Sequence, residues 1–269
     1  MATFLMLLVV GAMSLGALQY GNIELGRQTR ALYKILTPLI LLAVAFMLRR
    51  SGDLVRFWDV LFALSVASLG YLVAWFGGSI LNPPIDTASG LAIDKLSQAM
   101  LTVVPILILL KVSGVSFGSV YIRRGNLKLG LAIGVPIFVG ILGASLFIAE
   151  RLFMGEGVGW DSLLGWCPWI AIFVVANSVT EELVYRGLLL GPYGNLFGAF
   201  GGNLLQALVF ASIHIGVAYT SSSLVFLLVV FGLGLALGWL AMKTESLLSP
   251  VLIHAAVDVP VIIGILANL

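Results

Sequence analysis

Asn177-Ser178-Val179-Thr180-Glu181-Glu182-Leu183-Val184-Tyr185-Arg186-Gly187-Leu188-Leu189-Leu190 puts two adjacent carboxylates and an arginine inside a run of apolar sequence long enough to be buried in a membrane. A charged side chain at membrane depth costs roughly 2.5–3.5 kcal/mol on insertion scales, so charges kept there mark function by default. The surrounding chain is strongly apolar. Of 269 residues, 61% are hydrophobic and 10% charged, and the mean hydropathy is +1.13. A soluble domain carries about 25% charged residues. The sequence therefore predicts an all-α, polytopic transmembrane helical bundle with its chemistry among the helices. A net charge of +2, with Lys and Arg confined to short segments, argues against nucleic acid as a partner.

Working outward, a spanning helix needs about 20 apolar residues. Nine stretches approach that: 2–20, 31–48, 57–81, 91–110, 129–149, 168–190, 197–215, 222–242 and 249–266. The first has no basic leader ahead of it, which disfavours a cleaved signal peptide; without it the bundle has eight helices instead of nine. Pro168 suits the first position of the sixth helix, and Gly191-Pro192-Tyr193-Gly194 suits its end. No internal repeat or long polar linker divides the chain. Residues 1–269 read as one integral membrane domain, with scaffold or substrate-access helices in 1–150 and catalytic helices in 163–266. Arg49, Arg50 and Arg56 follow the second helix, and Lys111, Arg123, Arg124 and Lys128 follow the fourth. Their shared side is predicted to be cytoplasmic, although Arg27, Arg30 and Lys34 fall on the other.

Several other residues read as structural. Cys167, the single cysteine, is expected to be a small core residue. Asp94 and Lys95 are expected to pair at the interface, and Trp160, Trp166 and Trp169 to form an aromatic belt. Gly234-x-x-x-Gly238 suits close helix packing.

The only two histidines, His214 and His254, lie in apolar segments at four-residue spacings, Phe210-x-x-x-His214 and His254-x-x-x-Asp258. Residues i and i+4 are neighbours on a helix, as are Glu182 and Arg186. Glu181 is turned about 100° from Glu182, so the two carboxylates are expected to face different partners. Glu182 then pairs with Arg186, and Glu181 faces the bundle interior. A carboxylate beside a histidine takes a proton from water and returns it to a leaving amine. His214 is the natural partner for that water, while His254 and Asp258 face the oxyanion or the substrate carbonyl. Pro260 frees the Ala256 carbonyl next to Asp258. Glu181, His214 and His254 also compose a zinc-type donor set, although no His-Glu-x-x-His signature is present. With helix six ending at 191–194, Glu181 lies in the cytoplasmic half and His214 near the far end of helix seven.

In this order, Glu181-Glu182-x-x-x-Arg186, Phe210-x-x-x-His214 and His254-x-x-x-Asp258 resemble the CPBP family over roughly residues 168–262. That family groups type II CAAX prenyl endopeptidases with bacteriocin-processing and self-immunity proteins. The resemblance implies an intramembrane endopeptidase on a helical bundle, its cavity open to the cytoplasm. It hydrolyses a peptide bond of a membrane-associated peptide or lipidated protein, a prenylated CAAX-type chain among the candidates. By that resemblance Glu181 and His214 activate water, His254 and position 258 stabilise the oxyanion, and no cofactor is required. Asp258 departs from the CAAX-processing members, which resemble Asn there. An ionised Asp donates no hydrogen bond, so it is either protonated or orients His254. The alternatives are a zinc protease using the same residues, a transporter or proton relay, and a non-catalytic immunity or scaffold protein.

Overall fold

The computed structural model describes residues 1–16, 26–81, 83–217, 219–220 and 222–269. The end of the first apolar stretch, beyond residue 16, lies outside the described residues. Among those described, nine α-helices are present: α1 (Ala2–Leu15), α2 (Arg27–Leu48), α3 (Trp58–Leu81), α4 (Ala88–Val112), α5 (Leu127–Leu152), α6 (Trp160–Glu182), α7 (Leu190–Ser212), α8 (Ser223–Thr244) and α9 (Leu248–Ala267). A π-helical segment, Leu183–Leu189, joins α6 to α7, so eight separate helices result if Trp160–Ser212 is counted once. Seven of these are long and apolar enough to cross a membrane, making this a multi-pass integral membrane protein. The shortfall from nine spans comes from α1, whose 14 residues reach only ~21 Å, and from the fused α6–α7 run.

Polar caps fix several helix starts. Thr87 accepts from Gly90 N at the start of α4, and Asn126 accepts from Leu129 N at the start of α5. Each satisfies a backbone donor that the first turn leaves open. The α6 helix starts at Trp160, eight residues before the expected Pro168, which lies inside it. Gly159 is extended and Asp161 occupies the first turn, where a carboxylate complements the helix dipole.

The expected break at 191–194 does not occur. Residues 191–194 are helical, and the reversal comes at Gly198, with φ 74° and ψ 170°. Pro192 follows the π-helical segment, whose wider i→i+5 register relieves the clash between a proline ring and the preceding turn. A positive φ is what glycine permits, so the chain turns at Gly198. This shift matters for the site. Glu181 lies 17 residues before the turn and His214 lies 16 after it, which brings them to a common depth.

The two ends of the bundle differ in charge. One end holds the 49–57 and 113–126 segments and the α8–α9 turn, tied by an Arg123–Glu245 ion pair of 3.0 Å and by Leu247 N donating to Tyr121 O. The Gly198 turn belongs here, since Gly187 and Gly191 approach the carbonyls of Val120 and Ser119. The N-terminus does too: Phe4 packs edge-to-face on Phe197 with ring centres 5.3 Å apart. At the other end, Asn268 Nδ2 donates to Met154 O.

The expected glycine contact forms between α7 and α8. A Cβ on Gly234 would meet Ala207 at 3.1 Å, and one on Gly238 would meet Asn203 Oδ1 at 2.0 Å, while Gly232 has nothing within 4 Å. Asn203 and Gln206 use this closeness, donating to the carbonyls of Leu235 and Gly234. Gly238→Ala is expected to destabilise the protein by about 1–3 kcal/mol, and Gly232→Ala to leave it unchanged. Thermal unfolding in detergent measures the difference.

Candidate active site

Glu182 and Arg186 are both 0% exposed, and Arg186 Nη1 donates to Glu182 Oε1 at 2.7 Å. This is the expected pair. The same oxygen also accepts from His254 Nδ1 at 2.6 Å, a contact that sequence reasoning did not foresee. A carboxylate only accepts, so Nδ1 carries the proton and Nε2 points the other way. From there, Nε2 faces Glu181 Oε2 at 3.6 Å and Asp258 Oδ1 at 3.7 Å. Contrary to expectation, then, both carboxylates meet one partner. Helix geometry turns them apart, but the two nitrogens of a single imidazole span the difference.

Phe210 is the apolar hub of this arrangement. The Arg186 guanidinium carbon lies 4.4 Å from its ring centre, a cation–π contact that partly offsets burial of the charge. Its ring also meets His214 and His254 edge-on, at 5.2 and 5.9 Å. His214 lies two residues past the end of α7 instead of within the helix. Its Nδ1 is 3.3 Å from Phe210 O, so Nδ1 donates and Nε2 is left as the acceptor. Phe226 closes the other side at 5.6 Å.

Glu181, His214, His254 and Asp258 all line one cavity of about 140 Å³. Two further polar residues join them. Asn177 Nδ2 donates to Asp258 Oδ2 at 2.9 Å; its place one turn before Glu181 on the same helix face was the available signal. Lys95 lines the cavity from α4. It does not form the expected pair with Asp94, whose Oδ2 accepts from Gln98 at 2.5 Å. The first half of the chain thus lines the same cavity through Lys95. Cys167 is exposed instead of core, because the first half of α6 lies at the edge of the bundle.

Phe153, Tyr219 and Ile265 also line this cavity. They belong to the loops and helix ends opposite the basic segments. Toward the basic end, the site is sealed by Arg186, Tyr185 and Phe210, all fully or almost fully buried.

Among the described residues, no three His, Cys, Asp or Glu side chains are placed to hold a metal ion, Glu181, His214 and His254 included. His254 Nδ1 is taken by Glu182, and Nε2 stands between two carboxylates.

The elements holding these groups, from α6 to α9, coincide with a known sequence family. Residues 163–260 match the family described as type II CAAX prenyl endopeptidase Rce1-like. The matched segment is a little over a third of the chain and contains all three motifs. No curated protein and no solved structure matches the chain. The match supports a CAAX-type intramembrane protease in general.

Removing one member of a buried ion pair leaves an uncompensated charge and costs about 3–5 kcal/mol. Arg186→Met is expected to destabilise by that order, and Arg186→Met combined with Glu182→Gln to recover part of it. Thermal unfolding of the two variants measures this.

Proposed function

We propose that the protein is an intramembrane endopeptidase in which Glu181 and His214 activate water. The observation that carries this reading is the convergence of Glu181 Oε2, His254 Nε2 and Asp258 Oδ1 at 3.6–3.7 Å. Such spacings are too long for direct hydrogen bonds and suit an oxygen bridging them. Glu181 Oε2 has no hydrogen-bond partner among the described residues and is available to a water. Glu181 takes a proton from that water as its oxygen attacks the scissile carbonyl carbon. His214 Nε2 accepts from the same water and orients it. The carbonyl oxygen gains negative charge and accepts a hydrogen bond from His254, which carries a proton on Nε2 as well as on Nδ1 among the carboxylates of Glu181, Glu182 and Asp258. The proton then passes from Glu181 to the amine as the C–N bond breaks. No step needs a cofactor. Asp258, held by Asn177, stands 3.7 Å from His254 Nε2 and favours its charged form electrostatically.

Orientation follows from charge. Arg49, Arg50, Arg56, Lys111, Arg123, Arg124, Lys128 and Lys243 lie at one end of the bundle against Arg27, Arg30, Lys34 and Arg151 at the other, and this excess assigns the first end to the cytoplasm. The site then opens to the opposite side, not to the cytoplasm as the resemblance implies. The substrate is a membrane-associated peptide segment presented from that side, which weighs against a cytoplasmic prenylated protein.

Cleavage of a peptide library and of a prenylated CAAX peptide by the purified protein tests the chemistry. Glu181→Ala is expected to lose at least 100-fold in turnover, with His214→Ala and His254→Ala also strongly impaired and a strong chelator without effect. Unchanged turnover in Glu181→Ala would sink the mechanism, and loss on chelation restored by zinc would favour a metal enzyme.

Side-specific labelling tests the orientation. In a Cys167→Ser background, a membrane-impermeant maleimide applied to intact cells is expected to label Gly157→Cys and spare Arg124→Cys. The reverse pattern contradicts the orientation.

A further inference from the structure

A second cavity, of about 410 Å³, is lined by Lys34 of α2, by Lys95 and Gln98 of α4, and by Pro83 and Ile85 of the loop before α4. The two lysines stand at the same depth. Lys34 follows Arg27, the first residue of α2, by seven positions, and Lys95 follows Ala88, the first of α4, by seven. That is about 10 Å along each helix. Both helices start at the end opposite the basic segments, and a helical Cα–Cβ bond tilts toward the N-terminus. Both side chains therefore lean toward the headgroup level at that end. Lys34 is only 5% exposed, so it is turned into the bundle, 5.9 Å from the Trp75 ring centre.

Charge marks the same place. Arg27, Arg30 and Lys34 lie at the end where charge bias disfavours cations, and their spacing puts them on one face of α2. Like charges one turn apart repel, and Arg30 Nε is buried without a hydrogen-bond partner among the described residues. In the cavity lining two lysines face one carboxylate, Asp94, which accepts from Gln98. Lys95 has no carboxylate oxygen within 4 Å among the described residues. Basic pockets between spanning helices bind anionic headgroups. The rim favours a lipid over a free ion: Ile80, Leu81 and Ile85 are 82%, 57% and 60% exposed, apolar surface that an acyl chain covers.

We infer that this cavity binds the phosphate of an anionic phospholipid from the leaflet at that end, held between Lys34 and Lys95, with Arg30 one turn nearer the headgroup level. A zwitterionic lipid brings a quaternary ammonium with its phosphate, which the lysines repel. Phosphatidylglycerol is therefore preferred over phosphatidylcholine. This lipid site goes beyond the peptidase reading and stands without it.

Native mass spectrometry of the delipidated full-length protein in detergent micelles counts bound lipids and ranks their affinities. One phosphatidylglycerol is expected to bind about 10- to 100-fold more tightly than phosphatidylcholine, the effect of a charge-assisted hydrogen bond. Lys34→Gln and Lys95→Gln are each expected to weaken phosphatidylglycerol about tenfold and to leave phosphatidylcholine unchanged. Lys34→Arg is expected to keep most of the preference, and Lys111→Gln, at the basic end, all of it. A phosphatidylglycerol with a photoreactive headgroup locates the site without any variant, with crosslinks expected in residues 27–38 or 88–102. Equal binding of the two lipids overturns the inference, as does a preference that survives both Gln substitutions together, or crosslinks confined to other segments. Displacement of phosphatidylglycerol by millimolar inorganic phosphate overturns the lipid in favour of a soluble phosphate.

Discussion

One carboxylate oxygen, Glu182 Oε1, organises the interior of this protein. It accepts from Arg186 at 2.7 Å and from His254 at 2.6 Å, and so ties the junction of α6 and its π-helical extension to α9. Arg186 extends the tie toward α8, where Gly234 O lies 3.4 Å from Nη2. Such a cluster contributes little net stability compared with well-packed apolar residues, but breaking it is expensive. Its value is geometric. With Nδ1 of His254 committed to Glu182, Nε2 must face the cavity, and Glu181 is left with an oxygen that the protein does not occupy. One of two adjacent carboxylates becomes structure so that the other is available for chemistry.

The backbone serves the same end. The π-helical segment begins at Leu183, directly after the two glutamates. Such segments often occur at functional sites. It accommodates Pro192 and lets the helix run on to Gly198. Because the turn comes there, Glu181, 17 residues before it, and His214, 16 residues after it and just past the end of α7, lie at a similar depth. Small residues on α8 then let α7 approach closely, which brings Phe210 against both histidines and the guanidinium. The site is thus built at the meeting of three helix pairs and not on any single motif.

Much of this was legible in the sequence. Apolar length and low charge give the multi-pass bundle, and four-residue spacings give the Glu182–Arg186 pair and the common face of His254 and Asp258. Other features depend on tertiary contacts that spacing does not encode. That His254 bridges both glutamates follows from how α9 packs on α6, since i and i+4 rules act only within one helix. Lys95 reads as an interfacial charge from its place near the start of α4, and only the packing of α4 on α6 turns it into the cavity. The Gly198 turn was hidden by Gly191-Pro192, a stronger local breaker that the π-helical register absorbs. Likewise, the face on which the site opens depends on which ends of the helices line the cavity, a matter of three-dimensional arrangement.

The central claim is that Glu181 activates water and is not itself the nucleophile. A single turnover in H₂¹⁸O, with enzyme in excess over substrate, tests it most directly. Direct attack by water places the label in the new carboxylate of the product and leaves the peptide containing Glu181 unlabelled by mass spectrometry. A covalent acyl–Glu181 route, resolved at the enzyme carbonyl, gives an unlabelled product and a labelled Glu181. The account predicts the first result, and the second would contradict it.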